Sequence, residues 1–223
     1  MQRIPEPEEL MDDPGQALAY ARADFSEANR LFVELLQGVP GRSPDGRLLD
    51  LGCGPADIPL EIARRHPSLQ IDAVDGAAAM LDLARENIGA AGEAGQRVHL
   101  MCEYLPCPGL PSQGYGAVVS NSLLHHLTDP MVMWQTVKRC AGPGARILVM
   151  DLARPASELA VDALVETYAI DEPEVLRRDF RNSLFAAYTV AEVRAQLQDA
   201  KLGSLRVSMV SDRHLAVAGT IRT

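Results

Sequence analysis

Between Arg47 and Leu152 the apolar positions follow two alternating rhythms. Short, nearly continuous apolar runs occupy Arg47–Leu51, Leu69–Val74, Arg97–Met101, Tyr115–Ser120 and Ala145–Leu152, and these read as strands. Between them, Ala56–Arg65, Ala77–Ala90 and Pro130–Cys140 carry apolar residues near a 3.6-residue period and read as helices. Helix-length crossovers imply parallel pairing, hence an α/β fold with a doubly wound sheet. The loops between are marked by Cys102–Gly114, rich in proline, and by the polar turn Asn121–Leu127.

The flanks follow other patterns. Residues 1–13 are acidic and proline-punctuated, so they are expected to be loosely held. Pro14–Leu36 has a helical stripe (Ala17, Tyr20, Ala21, Phe25, Phe32, Leu35, Leu36) that Asp24-Phe25-Ser26-Glu27 can divide in two. Gly38–Gly46 is a Gly/Pro loop. Past Leu152, Ala156–Ile170, Glu174–Ala187 and Val190–Ala200 read as helices. The strands Leu205–Val210 and His214–Ala218 are joined only by Ser211-Asp212-Arg213, which is too short for a crossover, so they form an antiparallel hairpin.

Composition narrows the function. At 223 residues and 47% hydrophobic, the chain can build one full-sized core with a small cap. A net charge of −9 argues against a nucleic-acid or anionic-membrane partner, and the trio Arg177, Arg178 and Arg181 reads as a solvated helix face. The four cysteines form no C-x-x-C pair, so no metal site is expected. The start Met1–Leu10 has no signal-peptide pattern and no apolar run is long enough to span a membrane, so the expectation is a cytoplasmic protein with free, packed cysteines.

Four features fall at the carboxyl ends of successive strands, where open α/β sheets bind ligands: Asp50 with Gly52 and Gly54, Asp75, Glu103 with Tyr104, and Asn121–His126. The turn Gly52-Cys53-Gly54 ahead of a helix suits a nucleotide-like ligand. Asp75, 23 residues beyond Gly52, either grips both hydroxyls of a ribose or caps the following helix. A nicotinamide fingerprint wants glycine at 52, 54 and 57, but position 57 is Asp, which would repel a pyrophosphate.

The segments Asp50-Leu51-Gly52-Cys53-Gly54-Pro55-Ala56 and Ala73-Val74-Asp75-Gly76, with Pro106, Asn121–Leu127, Ala141-Gly142-Pro143-Gly144-Ala145 and the terminal hairpin, resemble the class I S-adenosylmethionine-dependent methyltransferases of small molecules (methyltransferase type 11/25-like domain). The resemblance is strong over Arg47–Leu152 and topological at the hairpin. It implies a Rossmann-like seven-stranded sheet of order 3-2-1-4-5-7-6 with strand 7 antiparallel. It also implies an N-terminal helical lid over 1–46 and a methyltransferase domain over 47–223 with a helical cap insertion at 153–189, all in one globular unit. S-adenosylmethionine carries no phosphate, so the carboxylates of Asp50 and Asp57 suit its positive charge.

The resemblance implies roles residue by residue. Asp50, Gly52, Cys53 and Gly54 would line the methionine and ribose portion of the cofactor. Asp75 would hold the ribose, with Gly76 and Met80 beside the adenine. Asn121 and Ser122 would approach the methionine end, and Tyr20 would close over the cofactor. Two positions depart from the family pattern. Ala56 stands in place of a third glycine, at small cost, and Cys102-Glu103-Tyr104 replaces the usual Gly-Asp. The adenine contact there falls to Glu103, to stacking by Tyr104, or to backbone amides.

On the acceptor side, His126, ahead of His125, is the candidate base; alternatively one imidazole caps the turn and the other packs. Phe25, Asp179, Asn182 and Tyr188 are candidate acceptor contacts, or part of a covering helix. No Asn/Asp-Pro-Pro-Tyr run follows the fourth strand. The expectation is therefore methyl transfer by in-line displacement to a small-molecule oxygen, carbon, nitrogen or sulfur, with S-adenosylhomocysteine as product, by a monomer or homodimer. The alternatives are a non-catalytic cofactor-binding regulatory module and an RNA methyltransferase.

Overall fold

A computed structural model of the chain describes residues 1–7, 10–41 and 46–221. Residues 8–9 of the acidic leader, 42–45 of the Gly/Pro loop and 222–223 lie outside the described residues. The strands are β1 (Arg47–Leu51), β2 (Gln70–Asp75), β3 (Val98–Cys102), β4 (Tyr115–Asn121), β5 (Ala141–Leu152), β6 (Arg206–Met209) and β7 (His214–Thr220). They form one seven-stranded sheet of order β3-β2-β1-β4-β5-β7-β6. β1 to β5 pair in parallel, and β7 runs antiparallel to both β5 and β6. This is the order and the hairpin expected from the sequence.

The helices are α1 (Pro14–Arg22), α2 (Ser26–Gly38), α3 (Asp57–Arg65), α4 (Ala78–Ala90), α5 (Met131–Cys140), α6 (Glu158–Ala169), α7 (Glu174–Ala186) and α8 (Val190–Asp199). The N-terminal helical stretch divides where the sequence allowed it. Asp13 caps α1 through Gln16 N–H, with Pro14 inside the first turn. Thr189 and Glu192 form a reciprocal capping box at α8.

The central strands are apolar on both faces because helices cover both. Phe32, Leu36, Ile62 and Leu81 pack on one side of the sheet, and Met133, Trp134, Val137 and Leu197 on the other. Each such Leu or Ile stabilises the fold by about 1.5–3 kcal/mol. Trp134 is fully buried, and its indole N–H donates to Gln196 at 2.9 Å, tying α5 to α8.

One strand is longer than expected. β5 begins at Ala141 because Tyr115 pairs with Ala141 before the register shifts to Ala117 opposite Arg146, so the Gly142-Pro143-Gly144 turn lies inside the strand as an irregularity. Arg177, Arg178 and Arg181 pair with Glu166, Asp179, Glu158 and Asp162 around α6 and α7, as a solvated helix face does.

Candidate functional site

Three aspartates are buried within the strands, and their partners differ. Asp72 accepts from Tyr115 Oη at 2.6 Å and contacts Arg47. Asp151 holds His125 Nδ1 at 2.5 Å. Asp50, at the end of β1, leaves Oδ1 buried with no hydrogen-bond partner. Burial first, then the charge of Asp75, pushes Asp50 up to about 8. A buried, unsatisfied carboxylate oxygen is costly unless a ligand meets it.

The turn after β1 explains its glycines. Gly52 has φ +73°, and a Cβ there would lie 2.9 Å from Leu123. Gly54, at φ +52°, faces open space. Ala56 is also left-handed, at φ +69°, so the substitution of a third glycine carries a cost of about 1–2 kcal/mol and is not conformationally neutral.

The amides of the turn are spent inside the protein. Gly52 N and Cys53 N both donate to Val74 O, at 2.8 and 3.0 Å, and Gly54 N donates to Asp75 Oδ2 at 2.8 Å. A phosphate cradle needs such N–H groups free, so the dinucleotide reading fails on backbone hydrogen bonding. The sequence argument had rested on Asp57 for this. The structure puts Asp57 exposed in the first turn of α3, outside the cavity wall.

Beside the turn lies a cavity of about 970 Å³. Gly52, Gly54, Asp75, Gly76, Met80, Asn121 and Ser122 line one end, and Glu103 and Tyr104 line the same wall. Asp75 Oδ1 also accepts from Ala77 N at 2.8 Å, so it serves the start of α4 as well as facing the cavity. Burial raises its pKa, while the amides of Ala77 and Gly54, and then His126, oppose the rise. Leu10 and the Tyr104 ring close over Gly76, where a Cβ would come within 3.0 and 3.2 Å of them. Asn121 Oδ1 is buried without a partner, and Ser122 is held at φ +57°. Tyr20 stacks near Phe25 with centroids 4.6 Å apart. Burial, then Asp57, Asp75 and Asp151, push the Tyr20 hydroxyl up to about 12, so it stays a neutral donor.

The other end is walled by Phe25, Leu176, Asp179, Phe180, His125, His126, Arg213 and His214. Cys53 packs in the core with its thiol toward Gly54 O, and neither Cys53 nor Asp50 lines the cavity. Asn182 and Tyr188 do not line the cavity; the Tyr188 hydroxyl donates to Leu127 O. Eight carboxylates line it (Asp12, Asp24, Glu27, Asp75, Glu103, Asp129, Glu172 and Asp179), against one arginine, Arg213, among the described residues.

His125 and His126 sit on a 3-10 turn, Leu124–His126, just past β4. Burial lowers the His125 pKa, but the Asp151 carboxylate, with Glu6 behind it, outweighs that and leaves it raised. His126 Nδ1 lies against the Glu6 carboxylate. Burial raises Glu6, but His126, then His125 and Ser183, hold it down at about 2.

Glu6, His125 and His126 place ligand-type atoms within 4.8 Å of one another, the outline of a metal site. The two rings, however, stack with centroids 4.1 Å apart and planes 36° apart. Planes so arranged meet well beyond the roughly 2 Å ligand distance of an imidazole nitrogen, so both lone pairs do not reach one ion.

The sequence reading missed Glu6 and Asp151. Asp151 left one signal, an acid inside the apolar run Ile147–Leu152. Glu6 left none, because it reaches the site only through the path of the N-terminal segment.

A family profile described as "Methyltransferase domain" matches residues 48–144. A ubiquinone/menaquinone biosynthesis C-methyltransferase of Geotalea daltonii is 27% identical over 51% of this chain and 48% of its own. A trans-aconitate 2-methyltransferase of Rhodococcus jostii is 36% identical over 53% of this chain and 41% of its own. The match thus spans about half the length of these curated relatives or less.

In fold, the chain superposes on a SAM-dependent methyltransferase from Aquifex aeolicus (TM-score 0.68, 19% identity, 94% of this chain and 98% of that one). It also superposes on the plantazolicin methyltransferase BpumL in complex with SAH (TM-score 0.71, 13% identity, 95% and 91%). The residues present fit that cofactor class: Asp50 Oδ1 and Asn121 Oδ1 are buried without partners, and Gly54 leaves room for a close approach. Residues 48–144 thus match a methyltransferase domain, set in a fold shared with S-adenosylmethionine-dependent methyltransferases.

Proposed function

We propose that the protein transfers a methyl group from S-adenosylmethionine to a small-molecule acceptor. The observation that carries this reading is the turn after β1, where the amides of residues 52–54 are bonded within the protein and Asp50 Oδ1 is buried and unpartnered two residues from Gly52 of the cavity lining. Asp75 holds the ribose hydroxyls, Gly76 and Met80 flank the adenine with Tyr104, and Asn121 and Ser122 take the methionine end. Bound there, the cofactor supplies a methyl on an activated sulfonium, so the chain's own task is alignment and, for a protic acceptor, removal of a proton. His126 is the group for that proton.

The acid-lined cavity favours a cationic cofactor over its neutral product and a neutral or cationic acceptor over an anionic one. A tricarboxylate, as the name of the Rhodococcus relative denotes, would meet eight carboxylates and one arginine. Phe25, Leu176 and Phe180 provide apolar contact, with Asp179 as a polar anchor. Residues 1–46 act as a lid and 153–189 as a cap over this space.

The test has two arms. Calorimetry should show micromolar binding of S-adenosylhomocysteine and none of NADH. Methyl-labelled cofactor should then label a member of a panel of phenols, amines, thiols and carboxylates. Binding without transfer to any panel member or extract fraction would favour a regulatory module, and transfer to tRNA would favour RNA methylation.

A further inference from the structure

Residues 1–7 do not hang free of the site. The Arg3 guanidinium donates to the carbonyls of His125 at 2.9 Å, Leu127 at 3.2 Å and Ala186 at 2.5 Å, and lies 4.2 Å above the Tyr188 ring. Ile4 N–H donates to Phe185 O at 3.1 Å. This segment therefore straps the turn bearing the two histidines to the end of α7. It delivers Glu6, whose Oε1 accepts from Ser183 Oγ at 2.6 Å and whose Oε2 lies against His126 Nδ1. The Glu6 side chain is only 9% exposed.

We infer that Glu6 is a positioning residue for methyl transfer, holding His126 with its Nδ1 toward the strap and its Nε2 available to the acceptor. The inference rests on the methyltransferase reading above. Its basis is a pair of parallel contacts: Asp151 fixes His125 from β5, and Glu6 meets His126 from the N-terminus.

His125 is fully enclosed with both Asp151 oxygens turned to it, so it anchors the turn. Both imidazoles line the cavity, but His125 Nδ1 is taken by Asp151 while His126 keeps 18% of its side chain exposed, so His126 is the more open to a substrate. The Glu6 contact is close but lies off the line of an Nδ1–H bond. Catalytic hydrogen bonds commonly tighten into line only when substrate is bound.

The chemistry balances. The acceptor would lose a proton to His126 Nε2 and gain the methyl in its place, the pair of the broken sulfur–methyl bond would stay on sulfur as a neutral thioether, and the positive charge would end on the imidazolium, next to the Glu6 carboxylate. The other charged groups about this ring are His125 and, behind it, Asp151, with Arg3 of the strap, Asp75 from β2, and Asp129 and Asp179 across the cavity.

The decisive experiment needs no acceptor. Long-range proton–nitrogen correlation spectra of the imidazoles, recorded against pH in the S-adenosylhomocysteine complex, report the tautomer and midpoint of His126. Wild type should carry its proton on Nδ1 when neutral. Glu6→Gln should shift the neutral ring toward the Nε2–H tautomer, since an amide oxygen holds the Nδ1 proton less strongly than a carboxylate. Glu6→Asp should recover part of that shift.

On any panel acceptor that turns over, Glu6→Gln should cost 10- to 100-fold in kcat, with the product affinity unchanged within twofold. An unaltered His126 tautomer in Glu6→Gln, in protein that still binds S-adenosylhomocysteine, overturns the inference. Loss of S-adenosylhomocysteine binding by wild type overturns instead the reading it rests on. Arg3→Ala, which loosens the strap but leaves the carboxylate, separates the two roles: a purely structural strap would make it equal to Glu6→Gln in the spectra.

Discussion

Asp75 reaches back across the sheet edge and accepts the backbone N–H of Gly54 at 2.8 Å, closing the glycine turn of β1 onto the end of β2. Its other oxygen takes Ala77 N–H at the start of α4. One carboxylate thus sets the shape of two neighbouring loops and still faces the cavity. The helix-starting reading of Asp75 is met through Oδ1, and the same carboxylate lines the cavity where the ribose role is proposed.

Asp75→Asn separates those roles. The amide keeps one oxygen for a backbone N–H but loses the charge and one acceptor. S-adenosylhomocysteine affinity should fall about 10- to 100-fold, the equivalent of about 1.4–2.8 kcal/mol, with a smaller change in melting temperature. Asp75→Ala should lose both binding and stability, because the Gly54 and Ala77 amides are left without their acceptor. Calorimetry paired with thermal melts checks this, and full affinity in Asp75→Asn would remove the ribose role.

Asp50 should make cofactor binding a proton-releasing event. Its carboxyl is held up to about 8 by burial and by Asp75, so at pH 7 it is largely protonated. A cation placed against Oδ1 favours the ionised form, so binding expels a proton. Titration at pH 7 in buffers of different ionisation enthalpy should reveal a release approaching one proton per ligand, with affinity rising as pH increases toward 8. Asp50→Asn should abolish the buffer dependence. Heats independent of buffer in the wild type would show that Asp50 is already ionised.

The strands and the hairpin were legible in the chain because each has a local signature, while the strand order came from the family resemblance. Continuous apolar runs, a three-residue link between Val210 and His214, and acids at strand ends are all visible within a few positions. The acceptor side was less so. Phe25 and Asp179 reach the cavity, but Asn182 and Tyr188 do not, because the turn of α7 and the Leu127 carbonyl direct them elsewhere. Glu6 was invisible because its role depends on where Arg3 anchors the strap, a set of contacts to carbonyls that have no residue preference. The amides of the turn, which reject phosphate, are likewise a backbone property with no mark in the sequence.

Gly52 and Gly54 should respond differently to the same substitution. Gly52→Ala forces a left-handed alanine and drives its Cβ within 2.9 Å of Leu123, so stability should fall by about 2–4 kcal/mol, the sum of strain and overpacking. Gly54→Ala meets no protein atom within 4 Å and carries only the left-handed cost of about 1–2 kcal/mol, but its methyl enters the cavity. Gly54→Ala should therefore lose more affinity for S-adenosylhomocysteine than stability, and Gly52→Ala should lose both. Equal melting temperatures for the two variants would contradict the geometry.

The His125–Asp151 pair should show its contribution through pH. Removing one partner of a buried ion pair costs about 3–5 kcal/mol, because the other is left uncompensated. His125 is raised above its ordinary value of 6.5 by Asp151 despite burial. A base raised in the folded state adds stability that is fully present below its unfolded value and is lost as pH rises through the folded value. Asp151→Asn should therefore be most destabilised relative to wild type at pH 6, and the gap should narrow by pH 9. Urea unfolding at the two pH values measures it. A gap that widens with pH would mean that His125 is neutral in the native protein and that Asp151 holds it only as a hydrogen-bond acceptor.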